Sequence, residues 1–302
     1  MPAIICHHIF GEDAAGTLPA GLVEGEEELL AFLLGNQGPD PLFARFSTLP
    51  SRAAALHALC HQMHESECAE ALLTFRAGVE HLPREDERIG RAFVLGLLAH
   101  YRLDSIAHPF VFAQQQALAE AAPELADSHN ELHGLIESDI DSWILWEKRR
   151  VTVLERPAHK NLMRTARIER VASALFSQVA LGVFGCELNA EEYAACVRDY
   201  ELEYRLIDPA NGAFARAAGV LERLVKPHSL AQAMAHRVVR TCDCPAANLE
   251  GGLWLDPADS TPRRESFADL FEAALAGYPD LAEAFVRGRL DLSVNYNGRR
   301  IG

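Results

Sequence analysis

The chain has 302 residues, 49% of them hydrophobic, and a formal charge of −15. That length and apolar content suffice for a sizeable core. The acidic balance argues against duplex nucleic acid as a partner, which needs a basic face to displace counterions, but not against a phosphate-bearing small molecule, because bound dications reverse the potential of one cleft.

The opening MPAIICHHIF has no basic run followed by an apolar signal stretch, and no later run approaches the roughly 18 uncharged apolar residues of a spanning helix. A cytoplasmic protein without a transmembrane segment is expected. Read as extended, the first segment points His7 and His8 to opposite faces, so at most one reaches a given site. Leu, Ala and Glu dominate the chain and alternating β-branched runs are nearly absent, which predicts an all-α fold.

The first expected helix covers 24–34 and is stopped by GNQGPDP at 35–41, where Asp40 stands between Pro39 and Pro41. Asp40 reads either as a turn residue or as a constrained ligand. Helices over 51–65 and 67–81 follow, the first carrying His57, His61 and His64 at steps of four and three. Over 88–107 the sequence AFVLGLLAHYRLDSIAHPF places His100, Asp104 and His108 at successive steps of four, one stripe on one helix face. Pro109 is expected to end that helix at His108. A helix over 128–148 repeats the spacing with His129, His133, Glu137 and Asp141, flanked by Leu132, Leu135, Ile136 and Ile140. Tyr101 and Trp143 read as packing residues.

After a break near 155–160, helices are expected over 164–184, 189–205, 211–225, 228–241 and 266–287, with a long loop over 243–265. The seven cysteines are odd in number and scattered, so free thiols are expected; Cys242 and Cys244 lack the two-residue spacing of a structural zinc site. Every motif with chemical content precedes residue 142. The expected organisation is a metal-binding helical core over 1–155 with a C-terminal helical half, 156–302, packed on it as one continuous domain.

Any single His and carboxylate pair on a helix is ordinarily a surface ion pair. Here two helices carry such stripes beside a constrained aspartate, and bundles build metal sites from inward-facing histidines and carboxylates in this way. A redox di-iron bundle would instead need Glu-x-x-His pairs from two helices.

The order His7-x-x-Phe10-Gly11, Gly38-Pro39-Asp40-Pro41, Met63-His64, Gly96-x-x-x-His100-Tyr101-x-Leu103-Asp104-x-x-x-His108-Pro109 and His133-x-x-x-Glu137-x-x-x-Asp141 resembles the zinc-dependent phospholipase C family over roughly 7–145. The resemblance implies a multi-helix bundle that holds two or three zinc ions and hydrolyses phosphate esters, a fold also used by single-strand nucleases. Carried over by motif, Asp40, His64, His100 and Asp104 would surround the first ion, and His108, His133 and Glu137 the second. His7 would join a bridging Asp104 at the third. Asp40, Asp104 and Glu137 are then the candidate catalytic carboxylates. Family members that are secreted complete the third ion with a processed N-terminal tryptophan, whereas this chain begins Met1-Pro2. Between His129 and His133, the latter is preferred because it alone has a glutamate four residues on.

Zinc with such ligands and an open position lowers the pKa of bound water toward about 7. The expected activity is a zinc-dependent phosphoesterase in which that water, as hydroxide, attacks a small phosphate ester or a phospholipid head group. The alternative is a non-catalytic metal-binding helical protein.

Overall fold

The computed structural model describes residues 4–224 and 227–301. Among them run eleven α-helices: α1 (Ile4–Ala15), α2 (Glu26–Gly35), α3 (Pro50–Glu65), α4 (Cys68–Val79), α5 (Glu87–Ala121), α6 (His129–Arg149), α7 (Ala166–Phe184), α8 (Glu192–Leu206), α9 (Gly212–Glu222), α10 (Leu230–Ala233) and α11 (Phe267–Val286). One antiparallel pair, β1 (Trp254–Leu255) with β2 (Pro262–Arg263), decorates them. The fold is all-α, and none of the described helices is long and apolar enough to cross a membrane.

Three expectations need correction. The first segment is helical, not extended: α1 is buried at every residue from Ile4 to Gly11. A helix enclosed on all sides shows no amphipathic period, and its cap comes from far along the chain. Asp141 of α6 accepts the free N–H groups of Ile5 at 3.0 Å and Cys6 at 2.7 Å, satisfying donors that every helix start leaves open.

The central helix does not stop at His108. α5 runs on through Pro109 to Ala121. Proline in a helix interior costs one hydrogen bond and strains the preceding turn, but Phe110 and Val111 beyond it are buried, with Phe110 packed edge-on to Trp254 at 5.4 Å. Their burial offsets the cost.

The segment 228–241 is helical only over α10. Beyond it the chain lies along α6, whose side chains take the place of helical partners: Ser138 Oγ donates to Ala233 O at 2.7 Å, and the Arg237 N–H donates to Ser142 Oγ at 3.1 Å. The helix expected over 211–225 ends at Glu222, and residue 225 lies outside the described residues.

The helix crossing that positions the site is between α2 and α5. A Cβ on Gly35 would meet Phe93 O at 2.0 Å, and one on Gly96 would meet Phe32 O at 2.1 Å. Two glycines facing one another let the backbones touch, which brings Asn36 and the following turn against the histidine stripe of α5. α1 packs on α2, α5, α6 and α11. α11 closes this layer through Phe271, edge-on to Phe10 at 5.3 Å, and through Tyr278, whose hydroxyl donates to Leu95 O at 2.9 Å.

Candidate metal centre

Asp104 is the hub of the cluster. Its Oδ1 lies 3.1 Å from His7 Nε2 of α1, and its Oδ2 lies 3.1 Å from His100 Nε2, 3.7 Å from His64 Nε2 and 3.7 Å from His108 Nδ1. Asp40, in the 3-10 turn Asp40–Ala44, sits 3.2 Å from His64 Nε2 of α3 and 4.0 Å from His100 Nε2. One helical turn beyond Asp104 a second group forms, with Glu137 Oε1 at 3.1 Å from His133 Nε2 and 3.8 Å from His108 Nε2.

These side chains form three groups whose donor atoms lie within 4.8 Å of one another: His7, His100 and Asp104; Asp40, His64 and His100; His108, His133 and Glu137. Each group could hold a metal ion.

Several of these polar atoms lack a hydrogen-bond partner. His100 Nε2, His133 Nε2 and Glu137 Oε2 are buried yet make no hydrogen bond. Buried polar atoms left without partners are costly, and a shared cation removes the cost.

The far side of four rings is tied down. His64 Nδ1 faces Cys60 O at 2.8 Å, His100 Nδ1 faces Asn36 O at 3.2 Å, His108 Nδ1 faces Tyr296 O at 2.9 Å, and His133 Nδ1 faces Gln115 Oε1 at 3.2 Å. Each partner is an acceptor, so each Nδ1 carries the proton and donates it. In a neutral ring Nε2 is then left with its lone pair, the arrangement that metal-ligating histidines use. Asn36 also donates through Nδ2 to His7 O, linking α1 to the same frame.

The charge balance points the same way. Asp40, Asp104 and Glu137 are only 3%, 4% and 6% exposed. Among the described residues their ion-pair partners are all histidines, never lysine or arginine. Burial by itself would raise these carboxyls. For Asp104 the His100, His108 and His7 rings outweigh it and hold the group well below its ordinary value. Asp40 is lowered against burial by His100 and His64, and Glu137 by His133 and His108. The rings divide between two behaviours. Burial pushes His100 and His133 down, whereas in His108 it is overcome by Asp104 and Glu137, which push the ring up to about 9, and His7 rises through Asp104. Without metal, the cluster therefore leans on ring protons to balance its carboxylates.

All eight expected ligands, His7, Asp40, His64, His100, Asp104, His108, His133 and Glu137, meet around one cavity of about 420 Å3 or directly behind it. His8 does not join them, lying instead 3.3 Å from Glu12 with Nδ1 toward Asn161 O. His129, bonded to Gln115, lines the same cavity, as do His57, His61 and Phe43. Asp141 touches no ligand histidine; besides capping α1 it pairs with His236 Nε2 at 2.8 Å. Tyr101 and Trp143 bond Val294 O and Cys242 O, away from the cavity. Cys242 is exposed and Cys244 buried, and neither belongs to a potential metal group among the described residues.

Residues beyond 142 reach the site after all, contrary to expectation. The Tyr296 carbonyl holds His108, while Asn297 and Arg299 line the cavity. Gln115 was hidden by the expected helix end at Pro109, although His108, Phe112 and Gln115 continue the stripe at steps of four and three. A main-chain carbonyl such as Tyr296 O leaves no sequence signal.

The chain matches no protein-family model, no curated protein and no solved structure.

Proposed function

We propose that this chain is a zinc-dependent phosphoesterase of the phospholipase C type. The observation that carries this reading is three buried carboxylates and five histidines gathered, among the described residues, with no lysine or arginine as ion-pair partner of the carboxylates, around one cavity. A donor set of imidazoles and carboxylates suits zinc. Asp40, His64, His100 and Asp104 would hold one ion and His108, His133 and Glu137 another, with His7 and Asp104 serving a third. Bound dications supply a water activated at neutral pH and positive charge for the phosphoryl oxygens.

The chain's own residues do the rest. The Nδ1 acceptors fix the rings of His64, His100, His108 and His133, the Asp104 carboxylate spans neighbouring groups, and the cavity walls fix where a phosphate can enter. Phosphoryl transfer needs positioning and charge more than covalent help from the protein. The substrate class is a phosphate ester, either a small molecule or a phospholipid head group.

Elemental analysis of the purified protein, paired with hydrolysis of bis(4-nitrophenyl) phosphate before and after chelation, tests the reading. Two to three zinc ions per chain and chelator-sensitive turnover are expected. Zinc without turnover would favour a non-catalytic metal protein, and absence of metal would discard both.

A further inference from the structure

The metal-facing cavity is not isolated. It shares Phe112, Gln115, His129, Asn297 and Arg299 with a second cavity of about 490 Å3, so the two adjoin along one rim. The far wall of the second cavity is built from Pro109, Ala119, Ala126, Pro257 and Ala258. Its two carboxylates are already engaged: Asp256 pairs with Arg263 at 3.3 Å, and Glu120 accepts from Gln116 at 2.8 Å. Asp256 is thus offset by a cation, whereas Glu120 keeps its charge at one side, and the alanine and proline wall of this space fits an uncharged apolar substituent.

Arg299 stands on the shared rim, exposed, and among the described residues no carboxylate lies within ion-pair distance of its guanidinium. Its backbone is nonetheless held firmly. Asn295 Oδ1 accepts the N–H groups of Asn297 and Arg299, each at 3.0 Å, and Gly298 N donates to Asn295 O at 3.0 Å. Gly298 adopts φ +72°, and a Cβ there would meet Pro109 Cγ at 2.3 Å, so only glycine lets this turn rest on the α5 proline. The same turn supplies the carbonyl that orients His108. An arginine with no carboxylate partner among the described residues, anchored beside buried potential ligands, is placed to receive an anion, and its planar fork suits phosphate oxygens.

We infer that Arg299 is the protein's direct contact to the substrate phosphate and that the adjoining cavity takes an apolar ester group, which makes the preferred ligand a phosphoester carrying a compact apolar substituent. This rests on the phosphoesterase reading and adds to it the residue and the space that select the substrate.

The test uses calorimetric titration of zinc-loaded protein with inorganic phosphate and with phenylphosphonate, which is not hydrolysed, alongside zinc content. Wild type should bind phenylphosphonate more tightly than phosphate. Arg299→Gln should weaken both ligands about tenfold with zinc unchanged, as loss of one charge-assisted contact requires. Ala119→Trp, which fills the second cavity, should weaken phenylphosphonate about tenfold and leave phosphate alone. Arg299→Gln binding both ligands like wild type, or losing zinc, would overturn the role of Arg299. Equal affinity of wild type for the two ligands, or an Ala119→Trp variant that binds phenylphosphonate normally, would overturn the assignment of the cavity. A wild type that takes up neither zinc nor phosphate would instead sink the phosphoesterase reading, and this inference with it.

Discussion

Gln115 Oε1 lies 3.2 Å from His133 Nδ1, joining α5 to α6 beside the candidate metal site. The contact exists only because α5 continues past Pro109. Gln115→Leu keeps the helix and the bulk of the side chain while removing the acceptor, so His133 loses the bond that fixes its tautomer. Zinc affinity at the group formed by His108, His133 and Glu137 should fall by about 10–100-fold, the usual effect of losing such a support. Competition with a zinc-sensitive chelator dye measures it; unchanged affinity would show that His133 is oriented by packing alone.

Asp104 sits within 3.7 Å of four histidines drawn from three helices. Asp104→Asn preserves shape but removes the charge on which neighbouring groups depend. Bound zinc should drop by at least one ion per chain, and turnover should fall by more than the about 100-fold expected of an outer support. Full metal content in this variant would remove Asp104 from its bridging place.

Gly96 has no room for a methyl group, since a Cβ would sit 2.1 Å from Phe32 O and 2.8 Å from Asn36 N. Backbone atoms cannot swing aside as side chains do. Gly96→Ala should cost about 3 kcal/mol or more, the upper end for core overpacking, and should pull Asn36 O away from His100 Nδ1. Lower thermal stability together with weaker zinc binding is expected, and a variant as stable as wild type would show that the α2–α5 crossing is not tightly set.

Asp199 of α8 ties down the chain leaving the turn that bears Asp40. It accepts from Ser47 N at 2.9 Å, Ser47 Oγ at 2.6 Å and Arg45 Nη1 at 2.6 Å. Burial alone would raise its carboxyl, but Ser47 and Arg45 prevail and lower it below its ordinary value. A carboxylate lowered in the folded state stabilises fully above its unfolded pKa and loses that contribution as pH falls through the folded one. Asp199→Asn should therefore cost about 2 kcal/mol at pH 7, with the gap from wild type shrinking as the pH drops below about 4. Urea unfolding of both proteins at pH 7 and at progressively lower pH measures it; a gap independent of pH would assign the loss to shape rather than charge.

The sequence by itself determined the helical class and the two stripes, because steps of four on a helix put His100, Asp104 and His108, and likewise His133 and Glu137, on one face whatever surrounds them. It could not place α1, whose residues are buried all round and whose cap, Asp141, is 135 positions from Cys6. Nor could it carry α5 through Pro109, where a local penalty is outweighed by the burial of Phe110. Only the tertiary structure decided that the stripes converge, through the packing of α5 on α6 that sets His108 beside Glu137, and that His7 rather than His8 faces Asp104. It alone brought Tyr296 and Arg299 from the far end of the chain to the cavity. Periodicity is a property of one helix, whereas a metal centre depends on distances between helices, and those are set by packing.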